Sequence, residues 1–258
     1  MINGVDIFAY GLLILVLGYL LYIIYYTLDL FFLNPFKRIT PLTKEEEKTI
    51  LYYLPFYKDL SKKKKKLFRK RVVRFRERKI ILFHEDVKQQ EKITLLLSAT
   101  AAMLTLSMAD FLILSVEKIH VYPKEYYSVH TKKKHYGEYN PSLKMLVFSA
   151  ENLLQGFKIP NDNINLAVHE FSHAISFNVA NKLNFRSYIF MFGMRKISKL
   201  FKNPDFIARV NASNYFREYG KTNIHEFFAV SVECFVETPQ EFKIQFPKLY
   251  SIISRMLK

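Results

Sequence analysis

Two histidines and a glutamate lie close together in the segment His169-Glu170-Phe171-Ser172-His173, which has the pattern HExxH. On a helix, residues four apart lie one above the other, with about 5–6 Å between their Cβ atoms. Both imidazoles can therefore bind one Zn²⁺, for which Zn–N distances of about 2.0–2.1 Å are usual. Glu170 lies beside the metal, where it can take a proton from a water whose pKa the metal lowers to about 7. The pattern predicts a zinc site with a carboxylate base.

The residues around this motif predict a buried helix. Between Ile164 and Val179 the sequence contains no charged residue other than Glu170, and no proline or glycine. A buried His-Glu-His set needs a partner to offset the loss of its hydration, and a metal ion is the simplest partner. The polar segment 160–163, just upstream, offers candidates for the N-cap of this helix.

A third metal ligand is needed, because catalytic zinc sites use three protein ligands and a water. No third histidine follows His173 at the short distance that metzincins use. The ligand should therefore come from a later helix, predicted over 224–238, whose candidates are His225, Glu226, Glu233 and Glu237. Glu226 and Glu233 are seven residues apart and share a helix face, so one can bind zinc while the other holds a histidine. Their spacing leaves open which acid does which.

The N-terminal part predicts a single membrane-spanning anchor over residues 1–33. Ile7–Leu28 is a charge-free run of 22 residues, long enough to cross a bilayer. A cleaved signal peptide is disfavoured, because no Lys or Arg precedes the run. Positive residues follow it at Lys37, Arg38, Lys44 and Lys48. Since such residues stay in the cytoplasm, the rest of the chain is predicted to face the cytoplasm.

Composition suggests anionic partners. The chain has 258 residues, a formal net charge of +16 and one cysteine, so it can form no intramolecular disulfide. Lys62–Lys79 holds the densest cluster of cations. Its near-helical apolar spacing favours one solvated, basic helix face, with attraction to anionic lipid as the next interpretation. No nucleic-acid-binding motif accompanies the cluster, so no nucleic acid is expected as a partner.

The remaining pattern predicts an α+β domain that is mostly helical with a small sheet. Helices are predicted over 43–53, 61–79 and 86–107, and strands over 116–122 and 144–149, with short strands or a loop over 126–139. The apolar run 93–109 is interpreted as a core helix rather than a second membrane span, because it has only 17 residues. A peptide substrate is expected to pair with the edge of the strand 144–149. The domain boundaries are 1–33 for the anchor, 34–53 for a juxtamembrane segment and 54–258 for the catalytic domain.

Several separate motifs resemble the Mlc titration factor A family of zinc-dependent peptidases, over about 54–250. They are Val121-Tyr122-Pro123, Gly137-Glu138, Val168–His173, Glu226–Val230, Glu237–Phe242 and Phe246–Tyr250. The resemblance implies a zincin-like fold of the gluzincin type. It also implies that Glu226 is the third zinc ligand and that Tyr219, seven residues earlier, donates to the developing oxyanion. Some members place a histidine near His130, so His130 and His135 are further candidates near the metal.

The chain departs from the family in two places. It has Ile175-Ser176 where members usually have Leu-Asp, and the better-known soluble members lack the N-terminal apolar run. The resemblance implies a zinc-dependent peptidase that is aminopeptidase-like on short peptides, and the N-terminal apolar run adds the prediction that this peptidase is anchored in a membrane. The alternative function is a regulatory protein that binds and sequesters a transcriptional repressor at the membrane.

Overall fold

The computed structural model describes residues 4–27, 40–108, 110–129, 131–180 and 185–257. The chain divides into two compact units, Met1–Thr40 and Pro41–Lys258. The first unit contains helix α1 (Gly4–Thr27), on which apolar side chains such as Phe8 are largely exposed. Within the described residues, no helix has the combination of length and apolar character needed to cross a membrane. The predicted anchor over 1–33 is therefore not supported by the structure and stays a prediction.

The second unit contains the other helices and all the strands that the described residues form. Its helices are α2 (Lys44–Tyr53), α3 (Lys62–Arg78), α4 (Gln90–Leu104), α5 (Ala150–Lys158), α6 (Leu166–Ala180), α7 (Phe185–Phe201), α8 (Pro204–Ser213), α9 (Ile224–Glu237), α10 (Pro239–Gln245) and α11 (Pro247–Leu257). Its strands are β1 (Ile80–Phe83), β2 (Lys118–Tyr122), β3 (Tyr126–Ser128), β4 (Lys133–His135), β5 (Gly137–Asn140) and β6 (Met145–Ser149). The mostly helical fold with a small sheet is as predicted.

The main sheet has the strand order β1-β2-β6-β5. The first three strands run parallel and β5 runs antiparallel to β6, with Gly137 opposite Phe148. Because β6 is paired on both sides, the expectation that a peptide pairs with its edge is wrong. The edge on that side of the sheet belongs to β5, which the sequence placed only within a pair of short strands or a polar loop.

Helix α4 forms the centre of the core, as predicted for the run 93–109. Leu96, Leu97 and Ala99 are fully buried. The helix begins four residues later than predicted, because Gln89 has a left-handed backbone (φ 58°) and Val87 N–H closes a turn on His84 C=O. A continuous helix cannot pass through that conformation.

The basic helix α3 uses part of its charge to hold the fold. Phe68, Val72 and Phe75 are fully buried on its inner face. Arg71 donates hydrogen bonds to the carbonyls of Thr105 and Met108, just past the end of α4. Burial lowers the pKa of Arg71 to about 10. The predicted solvated face therefore carries only some of the cations of Lys62–Lys79, and its attraction to anionic lipid stays a prediction.

Candidate metal centre

Helix α6 carries the HExxH motif, and Asn165 fixes its first turn. The Asn165 side-chain oxygen accepts a hydrogen bond from Val168 N–H at 3.1 Å. The expected capping segment 160–163 lies before this position, so that expectation is wrong by two residues or more. Asn165 N–H in turn donates to Glu233 Oε2 at 2.7 Å. The start of α6 is therefore tied directly to α9.

His169 and His173 point from α6 towards Glu226 in the first turn of α9. His169 Nε2 lies 3.0 Å from Glu226 Oε2 and 3.1 Å from His173 Nε2. His173 Nε2 lies 3.3 Å from the same Glu226 oxygen. The structure thus brings together the three residues predicted as metal ligands, although they come from two separate helices.

This triangle of atoms fits a metal ion. A tetrahedral Zn²⁺ with bonds of about 2.0–2.1 Å places its ligand atoms about 3.3 Å apart. Two imidazole nitrogens and a carboxylate oxygen are also a usual zinc donor set. Burial alone would lower the pKa of His169, but its hydrogen bonds with Glu226 and Glu233 raise that pKa to about 10. The surroundings of these nitrogens therefore favour positive charge, whether a proton or a metal cation supplies it.

Glu226 is placed by the start of α9. The side chain of Asn223 caps this helix, accepting hydrogen bonds from His225 N–H and Glu226 N–H. A carboxylate in the first turn is stabilised by the helix dipole. Burial would raise the pKa of Glu226, but hydrogen bonds from His169 and His173 keep it below its ordinary value. Glu226 is therefore an ionised acceptor at the metal position.

Glu233, two turns further along α9, contacts the opposite side of the His169 ring. Its Oε1 lies 2.7 Å from His169 Nδ1 and also accepts a hydrogen bond from Arg217. Glu233 is fully buried. A carboxylate on Nδ1 fixes the ring and leaves Nε2 free for a metal. The geometry thus separates the two acids that the sequence left unresolved, with Glu226 at the metal position and Glu233 behind the histidine.

Arg217 is a site residue that the sequence analysis missed. It lies just before a 3₁₀ turn, Glu218–Lys221, and its guanidinium reaches both Glu233 and the His169 ring. A fully buried carboxylate needs a compensating charge. That requirement was the available signal, but it does not by itself select Arg217, because Lys221 lies closer to the start of the helix that carries the acids.

Glu170 is buried on the same side of α6, next to the edge strand β5. A side chain at Gly137 could not fit, because its Cβ would lie 2.8 Å from Glu170 Oε1 and 2.7 Å from Leu166 Cδ1. A larger residue at this position would therefore force the side chains of Leu166 and Glu170 to shift. Burial raises the pKa of Glu170, as suits a group that takes up a proton.

Tyr219 lies on the 3₁₀ turn, with its ring centroid 5.8 Å from that of His169. Gly220 allows the turn to pack against Val230 on α9, since a Cβ there would lie 3.0 Å from the valine side chain. Burial and the nearby Glu226 raise the pKa of Tyr219 to about 12. The phenol is therefore protonated at neutral pH and can donate a hydrogen bond beside the triangle of ligand atoms.

Among the described residues, the other candidates do not belong to the cluster of ligand atoms formed by His169, His173 and Glu226. His135 lines the pocket in front of Glu170, and its Nε2 lies 2.5 Å from Thr131 Oγ1. His130 is outside the described residues. His225 is exposed, and Glu237 at the end of α9 accepts a hydrogen bond from Asn165. The pocket itself has a volume of about 450 Å³ and is bordered by His169, Glu170 and Tyr219.

Comparison with known families gives one match. The sequence profile of the family described as glucose-regulated metallopeptidase M90 matches residues 36–258. The matched region contains every residue of the site described above. A comparison with curated proteins found no match.

Proposed function

Because the chain belongs to the M90 family of glucose-regulated metallopeptidases, we propose that it is a zinc-dependent peptidase that uses its HExxH motif. The family assignment confirms the resemblance to the Mlc titration factor A type. The observation that carries the proposal is the convergence of His169, His173 and Glu226, whose ligand atoms all lie within 4.8 Å of one another.

Each site residue has a role that its position supports. Zn²⁺ held by His169, His173 and Glu226 would supply a Lewis acid that polarises the substrate carbonyl and acidifies a water. Glu170 takes the proton of the attacking water and returns it to the leaving amine. Tyr219 donates a hydrogen bond to the oxyanion that develops on the substrate. Glu233, held by Arg217, keeps the His169 ring in the orientation that presents Nε2 to the metal.

The peptide is proposed to lie along β5. This strand is at the edge of the sheet, and an extended peptide can add to such an edge through main-chain hydrogen bonds. Gly137 at its start lies against Glu170, so a bound peptide bond would come close to the base. The pocket of about 450 Å³ is within the range of about 300–1,000 Å³ common for small ligands, which supports short, aminopeptidase-type substrates.

The function is tested by the hydrolysis of a short-peptide library by the full-length protein, with and without a zinc chelator. We expect cleavage that the chelator abolishes and that added zinc restores.

We also expect Tyr219→Phe to keep bound zinc and KM while lowering kcat by about 10²–10³, because one oxyanion donor is lost. Zinc content and steady-state kinetics on one cleaved peptide measure both effects.

Tyr52→Phe is a suitable control for Tyr219→Phe, because Tyr52 is an exposed tyrosine on α2. Chelator-resistant cleavage, or no cleavage by a fully zinc-loaded protein, would contradict the proposed function. The second result would favour the alternative of a regulatory protein that sequesters a partner. If Tyr219→Phe has kinetics within about threefold of the wild type, the tyrosine has only a packing role.

We also propose that the first unit attaches the protein to a membrane, with the second unit on the cytoplasmic side. The charge-free run continues past the described part of α1 to Leu28, and side chains of α1 such as Phe8 and Leu15 are more than two-thirds exposed. A reporter fused after Lys258 should be active only if it is a reporter that works in the cytoplasm. Activity of an export-dependent reporter at the same position would refute this orientation.

A further inference from the structure

A second concave surface lies between α7 and α11 and shares no lining residue with the pocket at the metal centre. Its volume is about 1060 Å³, at the upper end of the range of about 300–1,000 Å³ common for ligand sites. We call this surface the α7–α11 groove. None of the proposed catalytic groups borders it, so peptide hydrolysis does not account for it.

The floor of the α7–α11 groove is apolar. Ile189 and Leu200 line it from α7, and Ile252 and Met256 line it from α11. The two helices come close at Gly193, where a Cβ would overlap the side chain of Met256. A methionine adapts readily to ligands of different shape. The floor therefore suits a flexible hydrocarbon chain.

The rim of the groove is cationic. It is lined by Lys196, Lys199, Lys248 and Arg255, and none of its described lining residues is acidic. Among the described residues, none of the ion pairs involves these four side chains. The charge that they concentrate at the groove is therefore not neutralised by an ion pair with any described residue.

The helix dipoles account for the positions of only two of these four cations. Lys199 and Arg255 lie in the last turns of α7 and α11, where cations are favourable. Lys248 lies in the first turn of α11, where a cation is unfavourable, and Lys196 lies inside α7. Lys196 lies over the ring of Phe192, with its Nζ 4.4 Å from the ring centroid, so a bound anion would account for Lys248 alone.

Exposed aromatic side chains continue the apolar surface along α7. Phe185, Tyr188 and Phe192 are 78%, 61% and 58% exposed, and their spacing of three and four residues places them on one side of the helix. Aromatic residues beside basic ones are typical of helices that lie in the interface of a membrane.

We propose that the α7–α11 groove binds an anionic phospholipid, with an acyl chain on the floor and the phosphate group among the cations of the rim. The apolar floor matches the chain, and the unneutralised rim matches the headgroup. This binding is separate from the proposed hydrolysis.

The absence of tryptophan from the sequence allows a direct test. Phe192→Trp places a single tryptophan in the groove of the full-length protein, which is studied in an uncharged detergent with excitation at a wavelength that its 17 tyrosines do not absorb. Titration with dihexanoylphosphatidylglycerol should shift its emission to shorter wavelength and saturate. The same change should not occur with dihexanoylphosphatidylcholine or inorganic phosphate. Tyr188→Trp provides a second reporter if the first variant folds poorly.

Removal of two rim charges provides the matched comparison. Lys199→Gln with Lys248→Gln should weaken binding of the anionic lipid by about thirtyfold, since each cation near a lipid headgroup contributes about fivefold. Lys62→Gln with Lys63→Gln removes the same charge from the exposed start of α3 and should leave binding within about threefold.

Three results would overturn the proposal. Equal responses to the two lipids would show that the headgroup charge is not recognised. An equal response to inorganic phosphate would indicate a simple anion site without a role for the chain. Equal weakening by the two double variants would show a general charge effect, with no site in the groove. Retention of hydrolysis in every variant separates these outcomes from a failure of the proposed peptidase activity.

Discussion

Replacement of Glu170 by glutamine should lower kcat by about 10²–10⁴ while the protein keeps its zinc. Glutamine has almost the same shape but cannot accept a proton, so the change removes only the base. The buried position of Glu170 beside Gly137 should be kept, because the amide fills the same space. Peptide hydrolysis and bound zinc are measured on the same preparation.

Glu91→Gln is the matched control, because Glu91 is an exposed acid in the first turn of α4 that is absent from the cluster of ligand atoms. Its kinetics should stay within about threefold of the wild type. Full activity of Glu170→Gln with zinc bound would show that another group takes the proton. Loss of zinc from the same variant would show that Glu170 is needed to build the metal site.

The two acids of α9 should differ sharply in their effect on metal binding. Glu226→Ala removes an atom of the ligand triangle, so bound zinc should fall well below one equivalent. Glu233→Gln should keep a zinc site whose affinity is about 10–100-fold weaker, because Glu233 acts through His169. Glutamine is chosen at 233 because alanine would leave both Arg217 and the Asn165 N–H without a buried acceptor, whereas glutamine keeps one of the two oxygens that accept these bonds.

Zinc titrations followed by metal analysis measure this difference, and the rise of Tm on zinc addition gives an independent measure. Glu218→Ala is the control, since Glu218 is an exposed acid on the turn that carries Tyr219. If Glu226→Ala keeps full zinc while Glu233→Gln loses it, the two acids exchange their roles.

The parts of the fold that the sequence predicted well have strong local signals. Helix α6 follows from a long apolar run without proline or glycine, and α3 begins one residue after Ser61, which caps it. Strand β1 was missed because it follows α3 after a single residue and has only four residues, all at least partly exposed. The strand predicted from Val116 begins at Lys118, because Val116 N–H closes a turn on Ile113 C=O.

The residues of the candidate site also fall into two groups, those that a local sequence pattern predicts and those that only the packing of the fold brings together. The spacing within HExxH is local, so His169, Glu170 and His173 could be predicted from the residues alone. The choice between Glu226 and Glu233 depends on how far each lies along α9 relative to α6, and only the packing of the two helices decides it. Arg217 contacts partners 16 and 48 residues away, so no local pattern marks it. Likewise, the edge position of β5 depends on the order of strands across the sheet.

The separation of the ligands along the chain affects when the protein can become active during its synthesis. Glu226 is 57 residues beyond His169, and Glu233 is 64 residues beyond it. A nascent chain on the ribosome therefore exposes the HExxH helix well before it can complete the metal position. A fragment that ends before residue 226 contains Glu170 and both histidines of the motif, but it lacks Glu226 and Glu233, which hold the His169 ring in place. A chain whose synthesis has not passed α9 therefore lacks the third ligand of the proposed metal site.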